Sequence, residues 1–302
     1  MDYVLKTDLL TKFFKKKPAV NKVSMNVPKG AIYGLIGING AGKTTIMRMV
    51  AGLAAPSGGS IELFGSTDLV ANRSKIGCVI ENPALYPNMT ARENLESFRR
   101  LAGIQDETII DSILDTIGLK DVDKKKKAKN FSLGMKQRLS IGIALIGDPE
   151  FLILDEPING LDPTGIAEMR DLFLKLKEQG KTILISSHIL GELFKVATHY
   201  GVIKNGVLIT EFEASELDDK CQMVSKFVVN DADKAKKVLE DSFGATDITI
   251  EDGNTILVPG FNDDIAKLNA TLCKADIEVS HVSLYGQDLE SYFIGLMRGG
   301  AV

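Results

Sequence analysis

The residues with the clearest chemical potential form one run, Gly37-Ile38-Asn39-Gly40-Ala41-Gly42-Lys43-Thr44-Thr45. Its pattern is G-x-x-x-x-G-K-[ST]. Glycines at these positions let the backbone curl tightly and aim its N–H groups inward, an arrangement suited to phosphate oxygens. The apolar run Ala31–Ile36 reads as a buried strand entering the loop, and Ile46, Met49 and Val50 leave it at helical spacing. The helix N-terminus adds positive partial charge at the same point. Lys43 can reach the β- and γ-phosphates of a nucleotide, and the Thr44 hydroxyl can ligate Mg²⁺.

A second constellation begins about 110 residues later, where Asp155 and Glu156 follow the apolar run Phe151–Leu154. A carboxylate at the carboxyl end of a parallel strand points into the ligand crevice. Asp155 would hold Mg²⁺, directly or through water. Glu156 could polarise a water for in-line attack on the γ-phosphate. Alone, such a pair reads as a solvated loop entry. Together with a phosphate loop it reads as a hydrolytic site.

These groups need a scaffold, and the chain is long enough to supply one. Its 302 residues, with 44% hydrophobic and 25% charged, fit a globular protein of roughly two domains. Short apolar runs alternate with helical patterns over the first two hundred or so residues, which predicts an α/β domain with a mainly parallel sheet. Thr182–Ile185 is a further strand. Between about Thr90 and Gly147 the pattern is helical, opened by the capping box Thr90-Ala91-Arg92-Glu93. A linker is expected near Ala214–Cys221, dividing the chain into domains 1–218 and 219–302.

In the second domain Met223–Val229 is strand-like, and Ala235, Val238 and Leu239 have helical spacing. Ile248 and Ile250 alternate, Thr255–Val258 is apolar, and Ile265, Leu268 and Leu272 are again helical. Ile277 and Val279 alternate, and Leu289, Tyr292, Phe293 and Leu296 form a last amphipathic face. The order βαββαβ plus a terminal helix predicts a small ferredoxin-like α+β domain. It carries no catalytic constellation, and it reads either as a stabilising or dimerising appendage or as a regulatory module.

With the remaining motifs in place, residues 2–212 resemble the ATP-binding-cassette (ABC) ATPases. Phe131-Ser132-Leu133-Gly134-Met135-Lys136-Gln137-Arg138 is similar to the family signature LSGGQ-x-Q-R, with Phe, Leu and Met where Leu, Gly and Gln usually stand. Asn159-Gly160-Leu161-Asp162-Pro163 is similar to the D-loop. Ser186-Ser187-His188 is similar to the switch histidine at a strand end. The resemblance implies a P-loop ABC ATPase domain with a helical subdomain, using ATP and Mg²⁺. It implies a head-to-tail dimer in which Ser132 and Gly134 close over the nucleotide of the opposite copy, with Asp162 at the interface. His188 would hydrogen-bond the γ-phosphate, whereas His199 and His281 are read as structural. Phe14 stands where the family places an aromatic against adenine; Phe13 could take its place, and a core role stays open for either.

Glu81 stands where the family usually has a glutamine that touches Mg²⁺ or the attacking water. That residue, its neighbours up to Asn88 and the Ser-Leu-Gly-Met-Lys-Gln-Arg signature resemble the bacitracin- and lantibiotic-type exporter branch. The branch implies a separate transmembrane permease, received near Glu81–Asn88, and a cytoplasmic chain peripheral to the inner membrane face. No apolar stretch approaches the ~18 residues that cross a bilayer, and no secretory leader is evident. The odd set Cys78, Cys221 and Cys273 lacks a CxxC spacing, which fits a reducing compartment. The run Lys124–Lys127 with Lys129 reads as a solvated face, or as a lipid-headgroup contact. A formal charge of −4 without basic stripes disfavours nucleic acid as a partner, and so disfavours the rival reading, a soluble ABC ATPase acting on ribosomes or DNA.

Overall fold

The computed structural model describes residues 2–81, 85–217 and 224–286, with Tyr292, Phe293 and Gly295. Leu289, Leu296, Cys221, the expected junction at 218/219 and the 82–84 portion of the expected docking segment lie outside the described residues. Two compact units are present, Met1–Ala214 and Ser215–Val302. Part of the expected linker, Ala214–Glu216, is a short 3₁₀ turn.

The first unit opens with β1 (Tyr3–Phe14), β2 (Lys17–Val23), β3 (Asn26–Pro28), β4 (Ile32–Ile36) and β5 (Gly58–Leu63). It continues through β6 (Ile76–Val79), β7 (Phe151–Asp155), β8 (Thr182–Ser187), β9 (His199–Lys204) and β10 (Val207–Glu213). Six of these strands form one sheet in the order β10-β9-β4-β8-β7-β6, parallel throughout except for β10. β4 and β7 are buried at every residue, as expected for strands covered on both faces. A second, antiparallel sheet is centred on β1, which pairs with β2, β3 and β5. The helix Lys43–Val50 is wedged into the core that both sheets share, its Ile46, Met47, Met49 and Val50 packed with Leu5, Leu10, Val27, Leu35 and Ile153.

A half-buried polar contact also ties the sheets together. The Tyr33 hydroxyl, on β4, donates to Glu211 Oε1 on β10 at 2.8 Å, and the same oxygen accepts from the Asn26 backbone N–H at 2.8 Å. Burial, and then the neighbouring Glu211 carboxylate, push the Tyr33 phenol well above its ordinary pKa, so it stays a donor. Gly201 on β9 leaves the room this ring occupies, because a Cβ there would collide with the Tyr33 hydroxyl.

The helical segment comprises Ala91–Leu101, Ile109–Thr116 and Leu133–Ala144. The capping box is formed: Thr90 Oγ1 accepts from Glu93 N–H, and Glu93 Oε2 accepts from Thr90 N–H at 2.7 Å. Lys127 pairs with Glu93 at 3.0 Å, and Lys126 sits over the Phe131 ring. Part of the lysine run therefore braces this segment.

In the second unit, β11 (Val224–Val229), β12 (Thr249–Glu251), β13 (Thr255–Pro259) and β14 (Val279–Tyr285) form an antiparallel sheet in the order β12-β13-β11-β14. The helices Ala232–Phe243 and Ile265–Lys274 pack Ala235, Leu239, Leu268 and Leu272 onto Phe227, Ile256 and Val258. This unit has its own core.

Tyr33→Phe removes one of the two donors to the half-buried Glu211 oxygen. Hydrogen bonds to charged groups are worth about 1.5–3 kcal/mol, so urea unfolding followed by circular dichroism should show a loss in that range.

Candidate active site

β4 stops at Ile36, and the chain curls through Gly37–Gly42 into the helix Lys43–Val50. Gly42 adopts φ +112°, and a Cβ on it would lie 2.6 Å from the Ala19 carbonyl of β2. Gly37 is confined by space alone, its Cβ site being 2.6 Å from the Ile203 carbonyl. Other residues would be strained or blocked at both places. No side chain caps this helix, so its first N–H groups face the loop's concavity. Asn39–Thr45, with Ala19 and Glu156, line a cleft of about 190 Å³.

The pairing of three strands brings the remaining groups to the same edge. Ile36 is level with Ser187, and Asp155 is level with Ser186. The segments after β4, β7 and β8 therefore leave the sheet side by side. Lys43 is only 5% exposed; its Nζ donates to the Gly37 carbonyl at 2.6 Å and lies 3.0 Å from Glu156 Oε1. The other carboxylate oxygen, Oε2, is 2.6 Å from His188 Nδ1. Glu156 is thus clasped between the two. Its backbone has φ +50°, a left-handed conformation that costs a non-glycine residue about 1–3 kcal/mol.

Beside this clasp, Thr44 Oγ1 donates to Asp155 Oδ2 at 2.8 Å. Both are hard oxygen donors, the type that Mg²⁺ takes from a protein while phosphate and water fill its other positions. Among the described residues no cluster of three or more His, Cys, Asp or Glu forms an all-protein metal cage. The donor set fits a metal shared with phosphate.

Lys43, Thr44, Asp155, Glu156 and His188 are therefore brought together, and Gly37–Thr45 form the cradle. The other expected site residues make different contacts in this structure. Ser132 caps the helix Leu133–Ala144 by accepting from Met135 N–H at 3.2 Å, and Asp162 caps Pro163–Glu178 by accepting from Gly165 N–H at 3.0 Å. A Cβ on Gly134 would sit 3.8 Å from Leu161 and from Gly165, so the signature turn lies against the Asp162 turn of the same chain. Glu81, at φ +65°, pairs with Arg48 Nη2 at 2.5 Å rather than with Thr44 or Asp155. The core role left open for Phe13 and Phe14 is overturned: they are 45% and 54% exposed at the β1–β2 hairpin, whose register shifts turn both rings outward. Of the histidines read as structural, His199 contacts Thr198 Oγ1 at 3.0 Å, and His281 lies exposed on β14. Cys78 and Cys273 are free thiols. Sequence reasoning assigned no role to Arg48 or Ser186, although Ser186 was in view beside His188.

Comparison with known proteins gives this geometry a family. Residues 20–159 match the ABC transporter domain model. The bacitracin transport ATP-binding protein BcrA of Enterococcus faecalis is 42% identical over 100% of this chain and 99% of its own length. The lantibiotic transport ATP-binding protein SrtF of Streptococcus pyogenes is 46% identical over 70% of this chain and 91% of its own. Among solved structures, the ADP conformation of the ATP-binding cassette MJ1267 superposes with a TM-score of 0.64 at 26% identity, covering 72% of this chain and 94% of that one. A phosphate cradle, a carboxylate pair at a strand end and full-length identity above 40% converge on one assignment: the chain belongs to the ABC transporter family, as an ATP-binding subunit that hydrolyses ATP.

Proposed function

We propose that this chain energises a separate membrane permease that exports an antimicrobial peptide of the bacitracin or lantibiotic type. The observation that carries the hydrolytic half is the clasp of Glu156 between Lys43 and His188 beside the Thr44–Asp155 pair. Full-length similarity to BcrA supports the choice of cargo, and relatives that are transport proteins favour transport over the ribosome- or DNA-directed rival. Among the described residues no helix is long and apolar enough to cross a membrane, so the reading assigns the pathway to a second polypeptide at the inner membrane face. Tyr86 is exposed, and its backbone is held by Asn94, which accepts from Tyr86 N–H at 2.8 Å. In this reading the stretch from Leu85 to Asn88 forms part of the surface that receives the permease.

The residues present suggest an order of events. Lys43 forms an ion pair with Oε1 of Glu156 and His188 contacts Oε2, so each carboxylate oxygen already faces one partner. A triphosphate entering the cradle competes for Lys43 through its own negative charge, and this releases Oε1. Glu156 then faces the attacking water as general base, and His188 keeps its carboxylate oriented. Thr44 and Asp155 would hold a Mg²⁺ ion, which when bound would supply charge neutralisation on the phosphate oxygens. Two copies arranged head to tail would bring Ser132 and Gly134 of one over the cradle of the other, with Phe14 offering a flat apolar face to adenine.

Glu156→Gln should bind Mg²⁺-ATP about as well as the parent and turn it over about 10²–10⁴-fold more slowly. Lys43→Ala should weaken nucleotide binding about 10- to 100-fold, as expected for loss of a charge-assisted bond. Steady-state phosphate release and fluorescent-nucleotide titration read both, and full turnover in either variant would exclude the assigned roles. In cells carrying the cognate permease, the parent chain should raise tolerance to bacitracin or a lantibiotic, and Glu156→Gln should not. Equal protection by both would remove the transport reading. Glu81→Gln should leave nucleotide affinity within about threefold and alter the transport obtained per ATP; an unchanged ratio, measured in vesicles with the permease, would refute a coupling role for Glu81.

A further inference from the structure

One buried hydroxyl joins the two carboxylate residues of the site. Ser186, fully buried on β8, donates its Oγ proton to Asp155 Oδ1 at 2.6 Å and accepts the backbone N–H of Glu156 at 2.9 Å. The ladder between β7 and β8 sets Ser186 level with Asp155, so the contact follows from strand register. Two consequences follow. With Oδ1 engaged by Ser186, the Asp155 carboxylate presents Oδ2 to Thr44. With its amide anchored, Glu156 is held in the left-handed backbone conformation that aims its side chain at Lys43 and His188.

We infer that Ser186 is a positioning residue for hydrolysis, fixing the metal-side oxygen of Asp155 and the strained backbone of Glu156 through a single hydroxyl. Loss of the hydroxyl frees Oδ1, lets the carboxylate rotate and leaves the half-buried Glu156 N–H without its acceptor. This inference rests on the roles assigned to Asp155 and Glu156 above.

The test compares the full-length parent with Ser186→Ala, Ser186→Thr, Asp155→Asn and Glu156→Gln. For each, three quantities are measured: nucleotide affinity in EDTA, the Mg²⁺ concentration that half-saturates the metal-dependent rise in nucleotide affinity, and kcat with KM. Partners of a metal ligand typically change affinity or activity 10- to 100-fold when removed. Ser186→Ala should therefore raise the Mg²⁺ half-saturation and lower kcat about 10- to 100-fold, with nucleotide affinity in EDTA unchanged within about twofold. Ser186→Thr, which keeps the hydroxyl, should recover most of both. A Mg²⁺ half-saturation in Ser186→Ala equal to that of the parent overturns the inference, whatever the turnover. So does a loss in Ser186→Ala that appears equally in EDTA, which marks general destabilisation and is checked by the thermal midpoint. If Asp155→Asn and Glu156→Gln retain full turnover, the assignment of the site itself fails. If both fall and Ser186→Ala does not, the role given to Ser186 alone is lost.

Discussion

The ladder between β4, β8 and β7 pairs Ile36 with Ser187 and Asp155 with Ser186, and the phosphate-handling groups of this chain depend on that register. Parallel strands in register end at one level, so three segments far apart in sequence leave the sheet together. A slip of one residue in β8 would turn Ser186 to the opposite face and displace His188 by a residue's length. Such a slip is blocked by burial, since every residue of β8 is buried and its apolar side chains are fitted to both faces. Packing in the sheet thereby fixes distances of a few ångströms at its edge.

The charge held at that edge imposes the next constraint. Lys43 is almost wholly buried, and a buried ammonium is costly unless its donors are matched. Here the match comes from the Gly37 carbonyl and from Glu156. The loop needs Gly37 and Gly42 because its walls, the Ile203 and Ala19 carbonyls, come close enough to exclude a Cβ. Tight loop geometry and a buried lysine are two sides of one arrangement, in which the carbonyl that the curl turns inward is also a partner of the charge. Truncating Lys43 strands the Gly37 carbonyl and the Glu156 carboxylate, so loss of the lysine acts on stability and on binding together.

Legibility in the sequence followed the range of each interaction. The cradle was plain because its chemistry is contiguous, from Gly37 to Thr45, and β4, β7 and β8 were plain because a buried parallel strand is an unbroken apolar run. The capping box at Thr90 and Glu93 was local in the same way. The antiparallel sheet around β1 was missed. Left-handed residues at Leu9 and Lys22 and register shifts against β2, β3 and β5 break the alternation that would mark these strands. Ser186 could be seen but not interpreted, since its partners lie about thirty residues away and only the pairing of β7 with β8 joins them. For Phe13 and Phe14 the sequence left a core role open beside the adenine contact, because an apolar pair fits either, and only their place at the β1–β2 hairpin shows them exposed.

The helix Lys43–Val50 carries two ion pairs of very different weight, and the contrast suggests how the site separates binding from signalling. At its first turn the buried Lys43 meets the half-buried Glu156 at the wall of the cleft, where their attraction is less screened than at the surface. At its last turn Arg48 meets Glu81, both substantially exposed, in a pair of the kind worth about 0–1 kcal/mol and favoured slightly by the helix dipole. A contact that weak is readily exchanged for another. Glu81 lies just before the stretch assigned to the permease, so a carboxylate released from Arg48 there changes the charge presented to that surface. The first pair is largely shielded from solvent and the second is not, so solvent and salt screen the second far more. Both pairs sit on one eight-residue helix, one at the cradle and one at the surface before Leu85.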